Sequence, residues 1–302
     1  METIPPEIWT EIFGFSCTDD GCTGRSLSLV SRAVHIVSKP LKYQSLCVVG
    51  LDQLMKLLAV LSKLPTGGRK VKYLFIAGLD DAKKVGAPLH ADPSRAGLAE
   101  KTLRRVLLLV APSLVALYIH RTTVARHSLL PEMEFPLLTE LMLHGPFKSS
   151  QSSTDIRPPT FFPSLRRLQI YHFAYHPEGF LGYIVRAAPM LTHLRVPQSS
   201  FTPYEIQVAL GILQPTTSAV EAVYLPSSFK ELVMEVDPAT SFVDLTWASN
   251  RRANQFLRKF RTIPTKDDRM CLVDGRSDWT PAGLAKKDWL EGCTGLWLKR
   301  VE

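Results

Sequence analysis

The stretch Pro112-Ser113-Leu114-Val115-Ala116-Leu117-Tyr118-Ile119 decides how the middle of this 302-residue chain folds. Behind a proline it sets an apolar residue, two variable positions, a second apolar residue, one variable position and a third apolar residue. The same order returns in "LTELML" from Leu138, "LRRLQI" from Leu165, "LTHLRV" from Leu191 and "VEAVYL" from Val220, with starts 24, 27, 26 and 29 residues apart. Pro112, Pro136, Pro163 and Pro189 introduce four of the five, and "VKYLFI" from Val71 is an earlier copy. Read as a strand, the first copy turns Leu117 and Ile119 to one face and Tyr118 and His120 to the other. Leu114, at its start, fills the next core slot. "GFLGYIVRAAP" (Gly179 to Pro189) and "PYEIQVALGILQ" (Pro203 to Gln214) read as helices able to cover the back of a parallel sheet.

A unit of ~20 to 29 residues with one short strand resembles the leucine-rich repeat. One such unit cannot bury its apolar face alone, and stacking several makes a continuous core. The fold class expected is therefore α/β, a short leucine-rich-repeat-like solenoid with parallel strands. No asparagine follows the strands at the usual ladder position. An ordinary α/β domain with proline-led strands is the alternative, since βαβ units share this period. On the solenoid reading the outward residues form ladders: Tyr118, Met142, Gln169, Arg195, Tyr224; then His120, His144, Tyr171; then Ala116, Glu140, Arg167, His193, Ala222. Exposed tyrosine, histidine and arginine are what interfaces favour, so these ladders are the candidate substrate face. Two inserts interrupt the repeats, "AGLDDAKKVGAPLHADPSRAG" and "HGPFKSSQSSTDIRPPT", the second rich in serine and proline like a loop without a core of its own.

The N-terminus has a different texture. In "METIPPEIWTEIFGF" Pro5 and Pro6 suit a first helical turn, because they lack N–H groups that would go unpaired there. Glu7 complements the positive helix end. Ile8 and Ile12 share a face, with Trp9 and Phe13 in a second stripe beside them. "CTDDGCTG" breaks the helix. From about Arg25 a second helix carries Leu27, Leu29, Val30, Ala33, Val34 and Val37 until Lys39-Pro40. About 45 residues make too small a body to support a core easily, and helices apolar on several sides must be covered by something.

"IPPEIWTEIF", a break, "SLSLVSRAV" and "PLKYQSL" together resemble an F-box of the kind seen in fungal proteins. That family docks on the small Skp-type adaptor of cullin–RING ubiquitin ligases. Its opening Leu-Pro-x-Glu corresponds to Ile4-Pro5-Pro6-Glu7, its apolar pair to Ile8 and Ile12-Phe13, and its valine before a polar-basic pair to Val30-Ser31-Arg32. The closing element corresponds to Leu41 through Leu46. Val34 stands where many F-boxes carry tryptophan. The resemblance implies an adaptor-docking surface of Ile4, Pro5, Glu7, Ile8, Ile12, Phe13, Leu29, Val30 and Arg32. The other reading is that these helices only cap the repeat core.

Composition bounds the rest. At 45% hydrophobic and 21% charged residues the chain reads as globular, and no run approaches the ~18 to 20 apolar residues of a membrane span. Glu2 and Glu7 argue against a secretory signal. The odd count of five cysteines fits a reducing compartment, cytoplasmic or nuclear. A net charge of +8 is modest for this length and interspersed with 28 acidic residues, so nucleic acid is disfavoured. "RRANQFLRKFR" (Arg251 to Arg261) is the strongest basic cluster; it reads as the snorkelling face of a late helix, with Phe256, Leu257 and Phe260 packed, and the alternative is a contact for an acidic partner or RNA.

No hydrolase elbow, phosphate loop or dinucleotide fingerprint occurs. Cys17 and Cys22 have no second metal-ligand pair near them in sequence, and "HFAYHPE" lacks the glutamate of HExxH. The expectation is a non-enzymatic protein without cofactor or metal. Its domains are an F-box over 1–48, a repeat solenoid over 49–236 and a C-terminal helical capping segment over 237–302. Its expected partners are the Skp-type adaptor and an unknown protein substrate, with no membrane. The alternative function is a non-ligase repeat scaffold for protein binding.

Overall fold

The computed structural model describes residues 4–79, 93–120, 133–147, 161–173, 180–197, 201–215, 223–236, 258–274, 286 and 289. The chain divides into two compact units. The first takes in residues 1–123, 133–138 and 280–302, and the second residues 124–132 and 139–279.

In the first unit α1 (Pro6–Ser16), α2 (Cys22–Val30) and α3 (Arg32–Ser38) precede β1 (Ser45–Val49), α4 (Leu51–Lys63), β2 (Tyr73–Ala77), α5 (Pro93–Val110) and β3 (Ala116–His120). The strands pair in parallel, Leu46 with Leu74 and Leu74 with Leu117. In the second unit β4 (Glu140–Phe147), β5 (Arg167–Phe173), β6 (His193–Pro197), β7 (Glu231–Val236) and β8 (Met270–Asp274) are again parallel, with α6 (Phe180–Ala187) and α7 (Pro203–Ala209) between strands. Leu141, Leu168, Leu194, Leu232 and Met270 stand in register, all buried. The α/β class with parallel strands is as expected.

The repeated proline has a physical role. The N–H of Leu138 donates to the Phe135 carbonyl, Leu165 to Phe162 and Leu191 to Ala188, each across a turn whose second residue is Pro136, Pro163 or Pro189. Proline presets φ at that position of a turn. The turn delivers the first apolar residue of the pattern inward, and Val71, Leu114, Leu138, Leu165 and Leu191 are all fully buried. A second device recurs just before β1, β2, β4, β5 and β6, where one carbonyl accepts two N–H groups of the next repeat. Gln44 serves Lys72 and Tyr73; Lys72 serves Val115 and Ala116; Thr139 serves Arg166 and Arg167; Arg166 serves Thr192 and His193; Thr192 serves Lys230 and Glu231.

Four expectations change. The strand after β6 is not "VEAVYL": residues 223–226 are irregular, 220–222 lie outside the described residues, and β7 is formed by "ELVMEV" instead. Phe229, Leu232 and Met234 carry the same apolar spacing there, behind Pro226. The strands also begin before residue 49, because β1 lies in the stretch read as the end of the F-box. They continue past residue 236, because β8 pairs with β7 inside the segment expected to be helical. Finally, the second N-terminal helix is two helices. Ser31 is extended (φ −162°, ψ 167°) and its hydroxyl accepts from the Val34 N–H at 3.2 Å, capping α3.

Of the basic cluster, Arg258, Lys259 and Arg261 are exposed and Phe260 is buried on a helical turn. Arg251, Arg252, Phe256 and Leu257 lie outside the described residues, as do 80–92 and 148–160 of the two inserts, His176 and Cys293. No helix among the described residues is long and apolar enough to cross a membrane.

Candidate docking surface and repeat ladders

Helix α1 starts on Pro5, whose carbonyl accepts from Ile8 and Trp9, with Pro6 in the first turn and Glu7 beside it. Its inner side is closed by Phe13, only 6% exposed and 5.4 Å from the Trp9 ring, and by buried Cys17. Phe13 therefore leaves the docking set and belongs to the support beneath it. The outer side carries Ile4, Ile8, Ile12 and Phe15, all exposed. On α2 and α3 the exposure is greater, with Leu29 at 85% and Ile36 at 71%, and Val30 and Arg32 are exposed as well. Pro5 and Glu7 are exposed at the helix start. Single exposed apolar residues are ordinary, but this many on three short helices are not. Phe15 and Ile36 join the patch although no motif marks them.

The turn between α1 and α2 is tied to β1. The Asp19 carboxylate accepts from the N–H groups of Gly21 (2.9 Å) and Thr23 (2.8 Å) and from the Thr23 hydroxyl (2.7 Å). Gln44 donates through Nε2 to the carbonyls of Gly14 (2.7 Å) and Cys17 (3.2 Å), and the Ser45 hydroxyl donates to the Asp19 carbonyl. Lys286 donates to Asp20 at 2.6 Å, and this hydrogen bond holds the Asp20 carboxyl below its ordinary range. Gly21 is at φ +88°, and a Cβ there would stand 2.9 Å from the Ser45 carbonyl oxygen. Gly21→Ala is thus expected to cost about 1–3 kcal/mol, read as a lower urea midpoint.

The ladders divide into buried and accessible parts. Tyr118, His120, Met142 and His144 are all buried, so the expectation that they point to solvent is overturned. Alternation places them on the second face of their strands, but that face is covered too. Tyr224 is exposed yet lies on no strand, and the register neighbour of Arg195 on β7 is Val233. What remains half-buried is a polar strip on β4 to β7. Arg167 pairs with Glu140 at 2.8 Å, and Arg195 reaches Glu235 through Nε at 2.7 Å and a terminal nitrogen at 2.5 Å. The Arg195 guanidinium lies 5.5 Å from the Tyr171 ring centroid, and the Tyr171 hydroxyl donates to Gln169 at 2.7 Å. His193 shares a hydrogen bond with the Thr192 hydroxyl at 2.8 Å. Burial pushes the Glu140 carboxyl up against the pull of Arg167, and burial, helped by Arg167 and Lys230, pushes the His193 imidazole down.

Because Glu235 is buried and Arg195 is its partner, Arg195→Ala leaves a carboxylate unpaired in the sheet. The expected loss is about 1–3 kcal/mol. A second change, Glu235→Gln, should recover part of it in a double-mutant cycle by urea denaturation. The arginines of this strip are committed to carboxylates, and the strip is a set of paired charges rather than a free cationic surface.

Among the described residues no group of three histidine, cysteine, aspartate or glutamate side chains is placed to hold a metal ion, and the four described cysteines are free. Comparison of the chain with protein-family models, with curated proteins and with solved structures finds no match to any of them.

Proposed function

We propose that the chain is a substrate-recognition adaptor of a Skp–cullin–F-box ubiquitin ligase, with α1 to α3 docking on the Skp-type adaptor and the repeat strands holding a protein substrate. The observation that carries this reading is the exposed apolar surface of Ile8, Ile12, Leu29, Val30 and Ile36 on α1 to α3, where Phe13 is the one large apolar side chain that is buried. A cap that served only the repeat core would turn such side chains inward. The order of motifs from Ile4 to Leu46 supplies the identity of the partner by resemblance. The Val34 position, half-buried, contributes less to the dock than a tryptophan would.

The protein then works by proximity. Anchoring the N-terminal helices to the ligase and a substrate to the strands raises the effective concentration of substrate lysines near the charged ubiquitin-carrying enzyme. No nucleophile or base on this chain takes part. The accessible strip of Arg167, Gln169, Tyr171, His193 and Arg195 is the substrate side of the proposal. Co-expression of the full chain with a Skp-type adaptor, followed by size-exclusion chromatography, tests it. Co-elution as a stoichiometric complex is the expected result. A chain that stays soluble and alone would leave the helices as a cap on a repeat scaffold.

A further inference from the structure

Charge is close to balanced over most of this chain and far from balanced on one face of the first unit. Residues 51–72 and 93–110 hold nine lysines and arginines against Asp52 and Glu100, an excess of seven in a chain whose net charge is +8. The fold gathers them. Helix α4 leads from the end of β1 to the start of β2, α5 from the end of β2 to the start of β3, and the two helices pack against each other. Both therefore end at the edge where the strands begin. Lys63, Lys70 and Lys72 lie at that edge, and Arg104 and Arg105 in the last two turns of α5. The Ser113 hydroxyl, 3.0 Å from the Arg69 carbonyl and 2.9 Å from that of Val71, ties the end of α5 to the loop that follows α4. All five of these basic side chains are exposed, and none forms an ion pair among the described residues. Arg167 and Arg195 of the second unit, by contrast, are matched to carboxylates.

Helix α5 has a second property. Its inner side is closed by Ala99, Leu103, Val106, Leu107 and Val110, all buried. On the opposite side Leu98, Lys101, Arg105 and Leu108 follow at spacings of three, four and three residues, which makes them one stripe. Leu98 is 46% exposed and Leu108 55%. A cationic stripe that begins and ends on an exposed leucine suits a surface of anionic headgroups over acyl chains, where basic residues meet the charge and apolar ones enter the boundary. Nucleic acid fits less well. These segments contain no aromatic residue for a base to stack on, and phosphate contacts alone give the leucines no role.

We propose that the α4–α5 face of the first unit binds the surface of an anionic membrane peripherally, with Lys101, Arg104 and Arg105 on the headgroups and Leu98 and Leu108 at the acyl boundary. Such contact needs no spanning helix, so the expectation of no membrane, which rests on span length, does not bear on it. The proposal is independent of whether α1 to α3 dock on an adaptor.

Sedimentation of the full chain with vesicles of phosphatidylcholine, with or without about three parts in ten of phosphatidylserine, tests it. The chain should co-sediment with the anionic vesicles only, and less as salt is raised. Lys101→Gln, Arg104→Gln and Arg105→Gln together should weaken binding about a hundredfold, at about fivefold per basic residue near the surface. Arg258→Gln, Lys259→Gln and Arg261→Gln remove the same charge from exposed positions of the second unit and should leave binding within about twofold. Leu98→Ser with Leu108→Ser should weaken it about tenfold. Every substituted side chain is exposed, so circular dichroism should not change. Lys101→Gln alone carries the comparison if the triple variant does not fold. Absence of capture by the anionic vesicles overturns the proposal, as does capture that the α5 glutamine variant leaves intact. Duplex RNA that binds as tightly in fluorescence anisotropy, with vesicle binding unmoved in the serine variant, overturns the membrane assignment in favour of a general polyanion surface.

Discussion

Ile8→Asp combined with Ile12→Asp is expected to remove adaptor capture while leaving the fold in place. Both side chains are exposed on α1, and neither contributes to the buried set below it. In the free protein the two aspartates meet water, so the cost to stability should stay within about 1 kcal/mol. In the complex each would bring a carboxylate into an apolar contact with no partner for its charge. Losing two apolar anchors at about 1.5–3 kcal/mol each, before any cost of the charges, amounts to a hundredfold or greater loss of affinity. Phe13→Asp is the informative opposite. Phe13 lies beneath the patch, so this change should unfold the N-terminal helices rather than merely silence the surface. Circular dichroism beside the binding measurement separates the two cases.

Phe75→Ala is expected to be the most damaging single substitution for the first unit. The ring is fully buried, stacks on Tyr118 and meets Trp289. Its loss leaves a cavity flanked by two aromatic rings that cannot both collapse into it, because strand pairing fixes one of them. Truncating a core phenylalanine costs about 3–5 kcal/mol, a large share of the 5–15 kcal/mol that holds a typical protein folded. The urea midpoint should fall accordingly. Phe75→Leu keeps most of the volume and should cost about 1–2 kcal/mol, and the difference between the two variants measures what the ring adds.

How far the fold could be read in advance follows from what each signal reports. The spacing behind Pro112, Pro136, Pro163 and Pro189 located β3 to β6, and the copy at Val71 located β2, because turn, core slot and strand all constrain the same few residues. The period points to "VEAVYL" for the next strand, whereas "FKELVM" departs from the period and forms it. The core needs the apolar spacing and tolerates an insertion between repeats. β8 was hidden for another reason: Asp267 stands where the other repeats have their first apolar residue. β1 escapes notice because the F-box-like motif runs to Leu46, two residues into the strand.

The candidate site was legible in part. Ile8, Ile12, Leu29 and Val30 are exposed as the motif implied, but Phe13 turns inward, since a four-residue pairing along α1 does not say which stripe meets the rest of the unit. Tyr118 reads as facing solvent because alternation identifies two faces and leaves open what covers the second. Its stacking neighbour Phe75 meets Trp289, 214 positions further along the chain than Phe75, and no local pattern encodes that contact. The clamps from Gln44 and Ser45 to the turn at Asp19 were equally invisible, being single side chains reaching backbone carbonyls.

The central claim is that the helical patch meets an adaptor. Isothermal titration calorimetry of the purified full chain with a purified Skp-type adaptor, repeated across a range of salt concentrations, tests it most directly. An apolar dock gives saturable binding with a negative heat-capacity change and little dependence on salt, lost in the Ile8→Asp, Ile12→Asp chain. Absence of binding by the folded wild type, or binding that the double substitution leaves intact, would contradict it.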